Sequence, residues 1–347
     1  MKNFLRNIRL KILSEGNNGK YLKYAIGEIV LVVIGILFAL QIDDWNENRK
    51  LTNDLENIFS AFEKELAQNI ERCNGLIRYG YRMDSTLTLY VNNEITRKNY
   101  RDHSQALTFS ISMRKFIHDN LDDLILHEKQ LSNKYYALIP DFKELKRRIE
   151  SQQQWEKTVF DLRMSRKKEM VDELPFFNQW DSLSRVKTFN HVTTNPSHKN
   201  KILDYYQYEL NENIWDATLI RTSSVALLWK IKSIREKDPI TIESFMKNLG
   251  LKPLQEFECG NQSFQETEII TFRRHLIIYN NTDDTVLYNH INKNGEILNN
   301  ELISLEPKSF RLEEFSYWRD AFIEVVENDN CKKMYLRNKE DYLIFNL

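Results

Sequence analysis

The sequence predicts an α+β chain in three parts: a single N-terminal transmembrane helix, an extracytoplasmic helical bundle and a small C-terminal antiparallel β-sandwich. Three observations carry this prediction. Tyr24 to Ile42 is an apolar run of 19 residues between strongly polar flanks. From Leu51 to Arg235 apolar residues return at steps of three and four, the period of a helix with one buried face. After Asp238-Pro239 the runs become short, alternating and β-branched, with Asn, Gly and Pro between them, as in strands joined by turns.

Composition sets the limits. A chain of 347 residues has room for two or three cores, and its 9 Gly and 6 Pro favour long helices over loops. Lys+Arg 49 against Asp+Glu 50 leaves no global basic surface for nucleic acid. Cys73, Cys259 and Cys331 are too few for a disulfide framework and lack C-x-x-C spacing. Two buried free thiols at Cys259 and Cys331 are the expectation, with a disulfide as the alternative if both lie in one domain outside the cytoplasm.

Residues 1–23 form a basic amphipathic tail. Six cations (Lys2, Arg6, Arg9, Lys11, Lys20, Lys23) oppose Glu15, giving +5, and apolar Phe4, Leu5, Ile8 and Leu10 interleave with them. That pattern suits a short helix on anionic lipid headgroups. The span follows at 24–42. Twelve residues from Ile29 to Leu40 carry no charge or hydrogen-bonding side chain, and 19 residues at about 1.5 Å each cross a hydrocarbon core of roughly 30 Å. Asp43, Asp44 and Glu47 lie beyond it, so the positive-inside rule places the N-terminus in the cytoplasm and the bulk on the far side. No A-x-A-like site follows, so the segment is expected to remain as an uncleaved anchor. Tyr21, Tyr24 and Trp45 fall where interfacial aromatic belts would lie. Gly27, Gly35 and Ala39 share one face and would let a second helix approach closely. Glu28 reads either as a carboxylate near the helix N-terminus reaching toward the headgroups or as a partner contact or proton-linked site.

The stretch GKYLKYAIGEIVLVVIGILFALQIDDWNENRK, residues 19–50, resembles the N-terminal signature of an uncharacterised family of single-pass membrane proteins abundant in Bacteroidetes. The resemblance covers about the first 50 to 60 residues. It implies an inner-membrane anchor with a periplasmic remainder and carries over no catalytic residue.

Residues 43–238 are expected to form the helical bundle. Its first helix shows the stripe Leu51, Leu55, Ile58, Phe62, Leu66, Ile70, Cys73, Leu76; further helices are predicted over Ser104–Leu131, Asp141–Met170 and Lys199–Arg235. Segment 171–198, with Pro175, Pro196, Phe176, Phe177 and Trp180, is expected to be a loop packed on the bundle. Residues 239–253 read as a short helical linker closed by Gly250. Residues 254–347 read as the sandwich, with strands at Ile269–Phe272, His275–Tyr279, Thr285–Ile291, Ile297–Leu305, Ser309–Phe315, Ala321–Glu327, Lys332–Leu336 and Tyr342–Phe345. Asn-Asn-Thr after a strand, Asn-Gly-Glu, Leu305-x-Pro307-x-Ser309 and a late Trp318 resemble the von Hippel-Lindau-type β domain. The spacing of Pro307 and Ser309 departs from that family, and Trp318 precedes Arg319 and Asp320 instead of following a His. The resemblance implies a peptide- or protein-binding sandwich.

Chemistry is sparse in this sequence. No G-x-S-x-G, H-E-x-x-H or phosphate loop is present. Around His118 to Glu128, Asp119, Asp123 and His127 stand at i, i+4 and i+8, a spacing that could offer a surface metal site or a solvated polar face. Lys143, Lys146, Arg147, Arg148, Arg163, Arg166, Lys167 and Lys168 read as an exposed helix face relieved by acids. The reading that follows is a membrane-anchored periplasmic interaction, scaffold or sensor module with no catalysis and no cofactor. Its partners would be the lipid bilayer, a protein in the membrane or periplasm, or a second copy. The alternatives are a membrane-tethered periplasmic hydrolase or metal-dependent enzyme, and a homo-oligomeric envelope structural protein.

Overall fold

The computed structural model describes residues 18–109, 115–179, 181–235, 241–259, 274–292, 296–299, 301–315, 321–327, 330–336 and 341–346. The tail at 1–17, the strand expected at Ile269–Phe272, Trp180 and Trp318 lie outside them. Two compact units divide the chain, Met1–Phe59 and Ser60–Leu347.

The first unit contains the beginning of helix α1, Asn18–Val91. No residue from Ala25 to Lys50 is buried. The helix ends where Asn93 takes a left-handed φ of 60°, with Glu94 N–H donating to Leu89 O at 2.8 Å and Asn93 N–H to Tyr90 O at 3.2 Å. This closure satisfies the last carbonyls, and Asn tolerates the left-handed geometry that most side chains resist.

Within the second unit, α1 buries Phe62, Leu66, Ile70, Cys73 and Leu76, the predicted stripe. Helices α2 (Tyr100–Leu107), α3 (Asp119–Leu126), α4 (Asn133–Tyr136), α5 (Ile139–Glu173), α6 (Ser182–Thr194), α7 (Pro196–Tyr208) and α8 (Ile214–Arg235) follow. A π-helical turn at Glu209–Asn213 joins α7 to α8, and α9 (Ile242–Asn248) ends at Gly250, φ 72°. The fold is therefore α+β, as the periodicities indicate.

Two helical expectations need correction. Ser104–Leu131 is not one helix, because residues far along the chain claim its backbone. Asn69 of α1 brackets Ile117, donating to its O at 2.6 Å and accepting from its N–H at 3.1 Å. One turn earlier, Glu65 accepts from Asn120 N–H (2.9 Å) and its side-chain amide (2.8 Å), capping α3. Partners supplied across the bundle outweigh local propensity. Segment 171–198 is largely helical, not a loop. Asp181 caps α6 by accepting from Ser184 N–H at 2.9 Å, and Asn195 caps α7 by accepting from His198 N–H at 3.1 Å, with Pro196 in the first turn.

The strands are β1 (Gln255–Phe257), β2 (Arg274–Asn280), β3 (Val286–Asn292), β4 (Ile303–Leu305), β5 (Phe310–Phe315), β6 (Ala321–Glu327), β7 (Asn330–Leu336) and β8 (Tyr342–Phe345). They form a five-stranded sheet, order β1-β7-β6-β3-β4, and a three-stranded sheet, order β5-β2-β8. All pairs are antiparallel except β2 with β8, a departure from the all-antiparallel expectation. β1 was not legible as a strand, and among the described residues of the run Ile297–Leu305 only Ile303–Leu305 forms one. A single apolar cluster draws Leu276 and Ile278 from β2 together with Tyr288, Ile323 and Tyr335 of the larger sheet. The turn after β2 is organised by buried Asn280, whose amide donates to Asp284 O (2.7 Å) and Leu305 O (3.0 Å).

Candidate functional site

Three places hold residues whose chemistry exceeds packing. The first is the N-terminal part of α1. Among the described residues this is the one helix long and apolar enough to cross a membrane, and its apolar side chains are uncovered, with Leu31 at 70% exposure. A Cβ placed on Gly27 or Gly35 would meet nothing within 4 Å, and Glu28 and Ala39 are likewise exposed. Trp45 is exposed, with the Arg49 guanidinium 5.7 Å from its ring centre. Tyr21 and Tyr24 lie on the same helix.

The second is a buried polar layer between α5 and the π turn. On α5, Gln152, Glu156, Val159 and Arg163 follow at steps of four, three and four, so they share one face. That face meets the π turn, whose wider coil brings Glu209 and Asn213 inward together. Arg163 donates to Glu209 at 2.8 Å. The Asn213 amide donates to Glu156 (2.8 Å) and Glu209 (3.3 Å) and accepts from Gln152 (2.8 Å). Burial alone would lower the Arg163 pKa, but the Glu209 charge and the nearby Tyr205 and Glu156 hold it above its ordinary value. Arg163 is 2% exposed, which corrects its assignment to an exposed basic face. The missed signal is the stripe itself: Phe142, Leu145 and Ile149 continue in register through Gln152, Glu156 and Arg163. Groups this far from water meet no dissolved substrate here, so the layer's chemistry is to fix α5 on the π turn.

The third is the acidic end of α3. The helix stops at Leu126, so the i+8 position does not continue the row. His127 caps it instead, with Nδ1 2.8 Å from Asp123 O. Asp122, on the neighbouring row, is engaged by His118 Nδ1 at 2.9 Å and Lys146 Nζ at 2.6 Å. Burial raises its pKa, but these two partners outweigh that and leave it lowered. Among the described residues no three His, Cys, Asp or Glu side chains converge on a metal-sized point, so Asp119, Asp123 and His127 are not brought together as ligands.

The cysteine expectation is also corrected. Cys259 and Cys331 form a disulfide, with Cα atoms 6.0 Å apart, that ties the chain beyond β1 to β7. Cys73 alone is free, buried against Arg221, and burial pushes its thiol up to about 12.

Comparison with family models, characterised proteins and solved structures returns no match to this chain.

Proposed function

We propose that this chain is a single-span membrane protein whose second unit lies outside the cytosol and works by binding a protein partner, without catalysis of its own. The observation that carries the reading is the girdle of apolar side chains on α1 between Ile26 and Ile42, all exposed, from 42% at Ile34 to 70% at Leu31. A surface of that extent is costly in water and favourable in lipid. The disulfide supports placement in an oxidising compartment such as the periplasm, since such bonds are rare in reducing cytosol. The basic charge before the span and the acidic residues after it support the same orientation. In this reading the two sheets form a binding sandwich, and the resemblance at residues 19–50 supports a bacterial inner-membrane setting.

A reporter that is active only outside the cytosol, fused after Leu347, tests topology when paired with extraction of membranes at alkaline pH. Retention in the membrane with an active reporter is expected. Release into the soluble fraction, or activity only of a cytosolic reporter, would overturn the proposal.

A further inference from the structure

The end strand of a sheet presents a row of backbone donors and acceptors that another strand can take up. Most of the sheet ends here are blunted. β1 and β4 are three residues each, and the disulfide ties the chain beyond β1 down to β7. At β8, the carbonyl of Tyr342 accepts from Leu254 N–H at 2.8 Å. β5 differs: it is six residues long and, among the described residues, pairs with β2 alone. The direction of its free groups follows from one hydrogen bond. Asn280 N–H donates to Ser309 O at 3.0 Å and Tyr279 lies opposite Phe310, so Asn280 and Ser309 are a hydrogen-bonded pair of the ladder. Such pairs alternate along antiparallel strands. Arg311, Glu313 and Phe315 therefore bond to β2, whereas the N–H and C=O groups of Phe310, Leu312 and Glu314 point out of the sheet. Phe310 and Leu312 are half-buried, and Arg311 is exposed.

We infer that β5 is an interface strand that pairs antiparallel with β5 of a second copy of this chain, about a two-fold axis at Leu312, so that the two smaller sheets become one. The strand's own sequence selects this occupant and this register. With the axis at Leu312, Arg311 stands opposite Glu313 of the second copy and Glu313 opposite its Arg311, a self-complementary arrangement. Moving the axis one residue either way sets Arg311 against Arg311 or Glu313 against Glu313, and like charges oppose both of these registers. Arg311 also has contacts within its own chain, so the charges choose the register while the backbone bonds and the Leu312 contact hold the copies together. A charge on an edge strand discourages unselective pairing, and the opposite charge two residues along makes an exception for the chain itself. The inference deepens the interaction reading by naming the partner and rests on it, but not on the membrane topology.

The test uses the full chain in native membrane vesicles. In the inferred pair the two Leu312 Cα atoms are about 5.5 Å apart, within disulfide reach, whereas the two Arg311 positions are diagonal neighbours at about 7 to 8 Å, beyond it. Mild oxidation of Leu312→Cys should give a covalent dimer on a non-reducing gel, and Arg311→Cys about tenfold less. Adding Arg311→Glu to Leu312→Cys should lower the yield about tenfold, and adding Glu313→Arg as well should restore it, a recovery that a misfolded variant would not show. No dimer from Leu312→Cys, or a yield indifferent to Arg311→Glu, would overturn the inference even where the topology experiment succeeds. A photoreactive benzoylphenylalanine at position 312 captures whatever lies along the edge. A product of twice the chain's mass is expected, and an adduct with a different protein would overturn the second copy as occupant. A dimer restored by the charge exchange together with a cytosolic C-terminus would support this interface and overturn only the compartment.

Discussion

His198 shows how a single burial fixes a protonation state. Its ring is 2% exposed, Nε2 donates to Leu107 O at 3.0 Å, and the ring packs edge-on against Phe109. Burial pushes its pKa down to about 4, outweighing the Leu107 carbonyl, with His191 and Lys201 adding to the depression. The folded state thus prefers the neutral ring, whereas the unfolded chain takes up a proton near 6.5. Stability from this group is complete above that value and falls as pH drops from about 6.5 toward 4, by roughly 3 kcal/mol in all. Urea unfolding across this range should show the slope, and His198→Gln, which keeps a donor but does not titrate, should flatten it. An unchanged slope would show that other groups set the acid response. Glu209 makes the complementary case. Removing its charge with Glu209→Gln takes from Arg163 the carboxylate it touches, and about 3 to 5 kcal/mol of stability should go with it. Replacing both partners, as Arg163→Met/Glu209→Leu, should cost clearly less, since the buried charge leaves with its partner. The two unfolding midpoints compared decide this.

Elements that carry their own instructions were readable from sequence; those held by distant partners were not. The stripe Phe62 to Leu76 specifies a buried helix face by periodicity alone, and Ala321–Glu327 and Tyr342–Phe345 emerge as strands at the expected bounds. The break between α2 and α3 depends on Glu65 and Asn69, some fifty residues earlier, and no local pattern announces such contacts. The π turn is similarly silent, because the polar residues Gln152, Glu156 and Arg163 interrupt the apolar code at the places where α7 and α8 need them. Asp181 and Asn195 cap α6 and α7, but the prolines and aromatics around them make segment 171–198 read as a loop. The edge strand β1 illustrates what a covalent tie adds to a weak element. Three residues pair with β7, and the disulfide two residues later closes a separation of 72. Loop-closure entropy for that length is worth about 4 kcal/mol in the chain-entropy account, so Cys259→Ser/Cys331→Ser should lower the unfolding temperature by several degrees. Adding a dithiol reductant to the unmodified chain should bring it to the same temperature while leaving the variant unmoved. A reductant effect on both would place the sensitivity elsewhere.

At the scale of the whole second unit, the helices and the sheets are joined by polar contacts as well as apolar ones. Arg221 of α8 donates to Asp341 at 2.7 Å, just ahead of β8, and to Asn74 of α1 at 3.3 Å. Asp341 also accepts the Lys252 N–H at 3.1 Å, and the Asn74 amide donates to Leu249 O at 3.1 Å. One buried cation therefore links α1, α8, the chain after α9 and the strand that completes the smaller sheet. Nearby, Thr218 of α8 accepts the backbone N–H of His275 in β2 at 3.0 Å. Such ties make the two parts unfold together, because neither can leave without stranding a charge or donor the other satisfies. Asp341→Asn should thus do more than lower stability by about 3 kcal/mol, the usual cost of leaving one member of a buried pair. It should separate the transitions, so that far-ultraviolet ellipticity, dominated by the helices, and the hydrogen-exchange protection of strand amides such as those of Tyr288 and Tyr335 no longer coincide during urea unfolding. In the unmodified chain the two signals should overlay, the mark of a single cooperative step. Separate transitions already present in the unmodified chain would mean that the apolar contacts between α8 and β2, with this polar junction, are too weak to make one folding unit of residues 60–347.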